Sequence, residues 1–137
     1  MKVIGLFILL FCATLFLSFQ TNPKFDLKTS MAKGKEVYQS YCMSCHMENG
    51  EGLEDVYPPL AKSDYLMANK KRAIQQILYG ANGAMKVNGK TYTGDMTGFD
   101  LTDQEVSDLL NYLRNSFGNK DKSPVTTPDE VKAARKK

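Results

Sequence analysis

The chain has 137 residues, 42% of them hydrophobic and 24% charged, with three cysteines, one histidine and no tryptophan. That length holds one small domain with appendages. The formal net charge of +3 is unevenly placed: residues 21–118 carry 11 Lys/Arg against 12 Asp/Glu, while 119–137 carry 6 against 3, so the body is nearly neutral and offers no nucleic-acid surface.

Residues 1–20 hold Lys2, an apolar run from Val3 to Leu17 and a polar end, Ser18-Phe19-Gln20. This order reads as an export signal, and the run is shorter than the roughly 20 residues that span a bilayer comfortably. Phe19 and Gln20 do not form a small-x-small cleavage site, so a retained N-terminal anchor stands beside a cleaved signal. Phe11 before Cys12 argues against lipid attachment.

Residues 21–29 read as a linker, and Ser30 offers a helix N-cap. A helix follows over Met31 to Tyr41, with Gly34, Val37, Tyr38 and Tyr41 on one face. A glycine inside a helix costs about 1 kcal/mol against alanine, so Gly34 reads either as a tolerated glycine or as the site of a close helix crossing.

That helix leads into Cys42-Met43-Ser44-Cys45-His46, a C-x-x-C-H motif. Two thiols at this spacing can each add to a vinyl group of one haem, and the adjacent imidazole can reach the iron. A thiol redox pair or half a zinc site shares the C-x-x-C core, but no second ligand pair and no βαβ pattern accompany it.

Glu48 to Gly52 is turn-forming and acidic, and Tyr57-Pro58-Pro59-Leu60 is extended. The prolines lack backbone donors, which makes the Pro58 carbonyl the candidate acceptor for the N–H of His46, as a ligating imidazole requires. A merely rigid loop with Leu60 filling core is the alternative. Ser63 caps a short segment, and Lys70 to Tyr79 reads as a helix with Ala73, Ile74, Ile77 and Leu78 inward and Gly80 as its stop. Lys70-Lys71-Arg72 reads as a solvated face or a docking patch.

Gly80 to Gly98 is a long loop with a hairpin over Lys86 to Tyr92 around Asn88-Gly89. It contains Met85 and Met96, either of which offers a thioether to iron. The last strong helix spans Thr102 to Phe117, opened by the capping box Thr102/Glu105 and closed by Gly118. Residues 119–137 read as a flexible polar and basic tail with a short helix after Pro128.

Cys42-x-x-Cys45-His46 near the start, Pro58 twelve residues beyond the histidine, a loop methionine before the final helix and Leu109-x-x-Tyr112 on that helix together resemble the class I cytochromes c. The resemblance covers about residues 30–118 and implies an all-α cytochrome c fold, its N- and C-terminal helices crossing beside a central helix and long loops around one haem c. It implies thioethers at Cys42 and Cys45, His46 and Met96 as the iron ligands, the Pro58 carbonyl as acceptor for His46, and Gly34 and Tyr38 crossing Leu109 and Tyr112. Met96 is favoured over Met85 by its spacing to Thr102; Thr97 stands where the family commonly has proline, leaving that loop without a proline's stiffness. Tyr-Pro-Pro-Leu-Ala-x-Ser-Asp-Tyr-Leu and Val-Asn-Gly-Lys-Thr-Tyr, residues 57–66 and 87–92, are similar to small bacterial domains that occur alone or fused to respiratory enzymes. The implied function is periplasmic single-electron transfer between respiratory partners, a reductase, terminal oxidase or dehydrogenase, by a carrier with no catalytic residues. A haem enzyme or gas sensor with an open sixth position is the competing reading.

Overall fold

A computed structural model describes residues 25–135; the export segment expected over residues 1–20 lies outside them. Among the described residues, six helices and one hairpin occur in the order α1 (Leu27–Tyr41), α2 (Met43–His46), α3 (Asp64–Ala68), α4 (Lys70–Tyr79), β1 (Met85–Val87), β2 (Lys90–Tyr92), α5 (Asp103–Asn115) and α6 (Pro128–Arg135). The architecture is the all-α one implied by the resemblance, with the antiparallel β1/β2 pair as the one named sheet among the described residues. In that hairpin Val87 faces Lys90 across Asn88 and Gly89, both at positive φ, the geometry that an Asn-Gly turn supplies.

Helix α1 begins earlier than its sequence suggests. Asp26, not Ser30, is the cap: its carboxylate accepts from Lys28 N at 3.1 Å and Thr29 N at 3.2 Å, satisfying donors that the first turn leaves open. Ser30 is buried and donates to the Asp108 carboxylate of α5, so the expected linker ends at Asp26.

The main packing is α1 against α5. At the crossing, a Cβ added to Gly34 would fall inside the Asp108 carbonyl and 2.8 Å from Tyr112 Cβ, so the backbones meet where only glycine fits. Asp108 and Tyr112, rather than Leu109 and Tyr112, are the residues opposite. Below the crossing, Tyr38, Tyr112 and Phe117 form a ring cluster with centroids 5.2–5.7 Å apart, the tilted arrangement aromatic quadrupoles favour. The Thr102/Glu105 capping box opens α5 as expected. The helix stops at Asn115, and Phe117 and Gly118 both take positive φ, which turns the Phe117 ring back into the cluster.

Residues 119–135 are not a loose tail. Asn119 donates to the carbonyls of Leu60 and Leu113, both at 2.8 Å, and accepts from Ser63 N at 3.1 Å. Arg114, 4% exposed, pairs with Asp121 at 2.5 Å and donates to the Leu66 carbonyl at 2.7 Å. Thr126 closes on Asn111, which it gives a backbone N–H at 2.8 Å and from which it receives an amide hydrogen at 3.0 Å. Helix α6 forms after Pro128 as expected and buries Val131 and Ala134 in the main core. It also engages the basic cluster at the start of α4: Lys70 reaches the Pro124 carbonyl at 2.7 Å and Glu130 at 3.4 Å.

Candidate functional site

Tyr38 O takes the amide hydrogen of Cys42 at 2.9 Å, ending α1, and one turn of helix, α2, carries Cys42, Cys45 and His46 round to a common side. Met47, at positive φ, breaks that turn. The chain then folds back: Gly52 N donates to His46 O at 3.0 Å, and Leu60 N and Ala61 N both donate to Gly50 O at 2.8 Å. Gly50 sits at positive φ against the Phe117 ring, 2.8 Å from where a Cβ would stand. A side chain there would meet both a disfavoured backbone conformation and an occupied space.

The result of this reversal is that Pro58 O lies 3.0 Å from His46 Nδ1. A carbonyl only accepts, so Nδ1 carries the hydrogen and Nε2 keeps its lone pair. Burial lowers the pKa of His46, with the Pro58 carbonyl opposing the shift, so the imidazole is held in the neutral form a metal ligand requires. Burial pushes the Cys42 thiol up to about 12, and the neighbouring Cys45 adds to the effect.

Cys42, Cys45 and His46 all line one cavity of about 470 Å³, which Met85 and Met96 also line. Leu60, Ile77, Tyr92 and Phe99 also line it and give its wall apolar and aromatic side chains. Well-packed interiors contain few voids larger than a water molecule. An apolar cavity of this size beside two thiols and a neutral imidazole therefore has the donor set and the shape for one haem c.

The backbone around Met96 is fixed despite Thr97. Met96 N donates to Ala81 O at 2.8 Å, and Ala81 N donates to Met96 O at 2.9 Å. Glycines allow the approach: a Cβ on Gly80 would enter the Met96 carbonyl, and one on Gly98 would stand 2.7 Å from the Tyr79 carbonyl carbon. Gly80 is more than the helix stop it was expected to be. The paired glycines bordering the loop were the available signal, and sequence reading used one only as a terminator and the other only as a boundary.

The structure also places polar groups in the cavity wall that the sequence did not single out. Ser63, Tyr65 and Gln76 line it, with Gln76 Nε2 donating to Tyr65 Oη at 3.0 Å. The Arg72 guanidinium lies 3.6 Å over the Tyr65 ring and donates to the Tyr65 carbonyl; of the three cations opening α4, Lys71 is exposed and Lys70 and Arg72 are half-buried.

A family model described as cytochrome c matches residues 31–117. Cytochrome c-552 of Thermus thermophilus is 33% identical over 120 residues, covering 81% of this chain and 80% of that protein. The cytochrome c subunit of a quinone-dependent alcohol dehydrogenase from Gluconobacter oxydans is 30% identical over 98 residues, covering 70% of this chain but 20% of that subunit. The CcoP subunit of a cbb3-type cytochrome c oxidase from Azospirillum brasilense is 32% identical over 94 residues, covering 64% of this chain and 29% of the subunit. With the fold, the C-x-x-C-H turn and the apolar cavity in agreement, the chain belongs to the cytochrome c family of haem-binding electron carriers.

Proposed function

We propose that this protein is an exported mono-haem cytochrome c, covalently bound through Cys42 and Cys45 and ligated by His46 and Met96, which passes single electrons between respiratory redox proteins. The observation that carries the reading is His46, its Nδ1 held 3.0 Å from Pro58 O, facing a cavity that Met96 also lines. His46 would present Nε2 to the iron while the Pro58 carbonyl fixes its ring and strengthens it as a ligand. Met96, on a backbone bonded to Ala81, would supply the thioether. Haem c supplies a one-electron couple, and a neutral His/Met pair stabilises the ferrous state and raises the potential. Held by both His46 and Met96, the group would have no position open to a substrate, which suits a carrier and not a catalyst.

The chain's own residues also govern access. Leu109 and Leu113 of α5 and Ile77 of α4 wall the cavity with hydrocarbon, keeping water from the centre. The apolar segment at residues 1–20 directs the protein to the periplasm, where it serves as a cleaved signal or a tether, and intact mass separates the two. Relatives that are subunits of a quinone-dependent dehydrogenase and a cbb3 oxidase support partners of the respiratory class.

The test is the optical spectrum of the haem-loaded ferric protein. A far-red charge-transfer band of Met-ligated haem is expected, lost in Met96→Ala and kept in Met85→Ala. A high-spin spectrum with rapid CO binding would establish the open-site enzyme or sensor in its place.

A further inference from the structure

Two segments that supply much of the cavity lining, 41–61 and 91–101, carry no lysine or arginine. Residues 41–61 and 91–101 contain Glu48, Glu51, Glu54, Asp55, Asp95 and Asp100 and no basic residue except His46, and all six carboxylates are exposed. Among the described residues that line the cavity there is likewise no lysine or arginine. Two neighbouring cations, Lys90 and Lys86, are tied or turned away. Lys90 is held between Glu54 at 2.9 Å and Asp55 at 2.8 Å. Lys86 lies between Met85 and Val87, both of which face the cavity, so strand alternation points it to the other side.

The same segments expose apolar side chains beside these carboxylates, of which Asp95 lines the cavity. Tyr41 is 45% exposed and Val56 46%, and both also line the cavity; Leu53, 47% exposed, stands in the same loop as Val56. Of the five large hydrophobic residues exposed among the described residues, Tyr41 and Val56 thus border the cavity, and Leu53 adjoins Val56, whose N–H its carbonyl accepts at 3.0 Å. An apolar centre with a polar margin is the anatomy of an interface that forms and separates quickly.

We infer that Tyr41, Leu53 and Val56, rimmed by Glu48, Asp55, Asp95 and Asp100, form the face through which electrons leave and enter, and that it takes a redox protein presenting an apolar patch ringed by lysine or arginine. This inference rests on the electron-carrier reading above. In each encounter one electron crosses: the haem iron is oxidised from ferrous to ferric while the partner's centre is reduced by one, or the reverse, with no bond made or broken. The rim steers the basic partner, and the apolar centre excludes water once it has docked.

The experiment oxidises the ferrous, haem-loaded protein by stopped flow with two small probes of opposite charge, tris(phenanthroline)cobalt(III) and hexacyanoferrate(III), at several ionic strengths. Rates with the cation should fall as salt rises and rates with the anion should climb. Glu48→Lys/Asp95→Lys should slow the cation and speed the anion by about threefold or more at low salt. Glu36→Lys/Asp129→Lys, with the same net charge on α1 and α6, should stay within about twofold of the wild type. Equal effects in the two variants overturn the inference. A second measurement titrates the 15N-labelled protein with a lysine-rich, zinc-substituted cytochrome c. Shifts are expected around 41, 53–56 and 94–97, abolished by Val56→Lys, and shifts centred on α6 count against it. Self-association that Val56→Lys removes would assign the face to a second copy and also overturn it. If the protein carries no haem at all, the electron-carrier reading fails first; a normal haem spectrum with charge-indifferent rates sinks the docking face alone.

Discussion

Replacing Gly34 by alanine tests the crossing that holds α1 on α5. On an isolated helix the change is favourable by about 1 kcal/mol. Here the new methyl would enter the Asp108 carbonyl and press on Tyr112 Cβ at 2.8 Å. Backbone cannot rotate aside as a side chain can, so α1 must lift away. Overpacking of this kind costs about 1–3 kcal/mol, and the move also disturbs the Ser30–Asp108 bond and the contact between Tyr38 and Tyr112. A net loss of about 2 kcal/mol is expected, which for a domain of this size lowers Tm by roughly 10 °C. Thermal unfolding of the haem-loaded protein followed by circular dichroism reads it directly. Ala32→Gly, at an exposed position on the same helix, should lose about 1 kcal/mol through propensity alone. If Gly34→Ala raises Tm, propensity governs the position and the crossing argument is wrong.

Other outcomes follow from single features. Asp121→Ala strips the buried Arg114 of its carboxylate and should cost about 3 kcal/mol, seen as a lower urea midpoint. Burial opposes ionisation of Asp121, yet hydrogen bonds from Arg114 and Ser123 outweigh it and hold its pKa at about 2. Its contribution is therefore complete above about pH 4 and is lost as pH falls toward 2, because the unfolded chain takes up the proton first; Asp121→Asn should flatten that part of the stability curve. Cys42→Ser/Cys45→Ser should yield protein without covalent haem by haem staining. Without the haem, the apolar walls of the 470 Å³ cavity are left facing water, so this variant should also lose near-ultraviolet dichroism.

Much of the site was legible because its chemistry is local. C-x-x-C-H encodes its own turn, the Asn88-Gly89 hairpin its own reversal, and Thr102 with Glu105 its own cap. Gly34 signalled a crossing because an interior helical glycine needs a reason, although the residue facing it, Asp108 rather than Leu109, depends on a helix phase that spacing gives only to within one position. The start of α1 was misread because two capping residues, Asp26 and Ser30, stand one turn apart. Local pattern cannot tell which hydroxyl or carboxylate will find a tertiary partner, and Ser30 found Asp108. Met85 and Met96 both line the cavity, so the preference between them still rests on spacing to the final helix, now joined by the fixed backbone at Met96.

The packed tail was illegible for a related reason, which the circumference of α5 makes plain. Leu109 and Leu113, four apart, face the cavity. Asp108 and Tyr112 meet α1 at Gly34. Ser107 and Asn111 bond the Thr126 carbonyl at 2.9 and 3.0 Å, and Arg114 pairs with Asp121. Three stripes of one helix thus serve three partners, and a helix enclosed on so many sides would ordinarily be apolar all round. Ser107, Asp108, Asn111 and Arg114 are polar and buried because what covers them is irregular chain and a glycine crossing, both rich in backbone carbonyls and hydrogen-bond donors, not another apolar stripe. In sequence such residues read as the solvent face, and a segment whose task is to cover that face reads as loose. The tail is therefore one of the supports of the helix whose opposite side forms the haem wall. Loosening residues 119–135 should reach the cavity through α5, by way of Leu109 and Leu113, without any of them touching it.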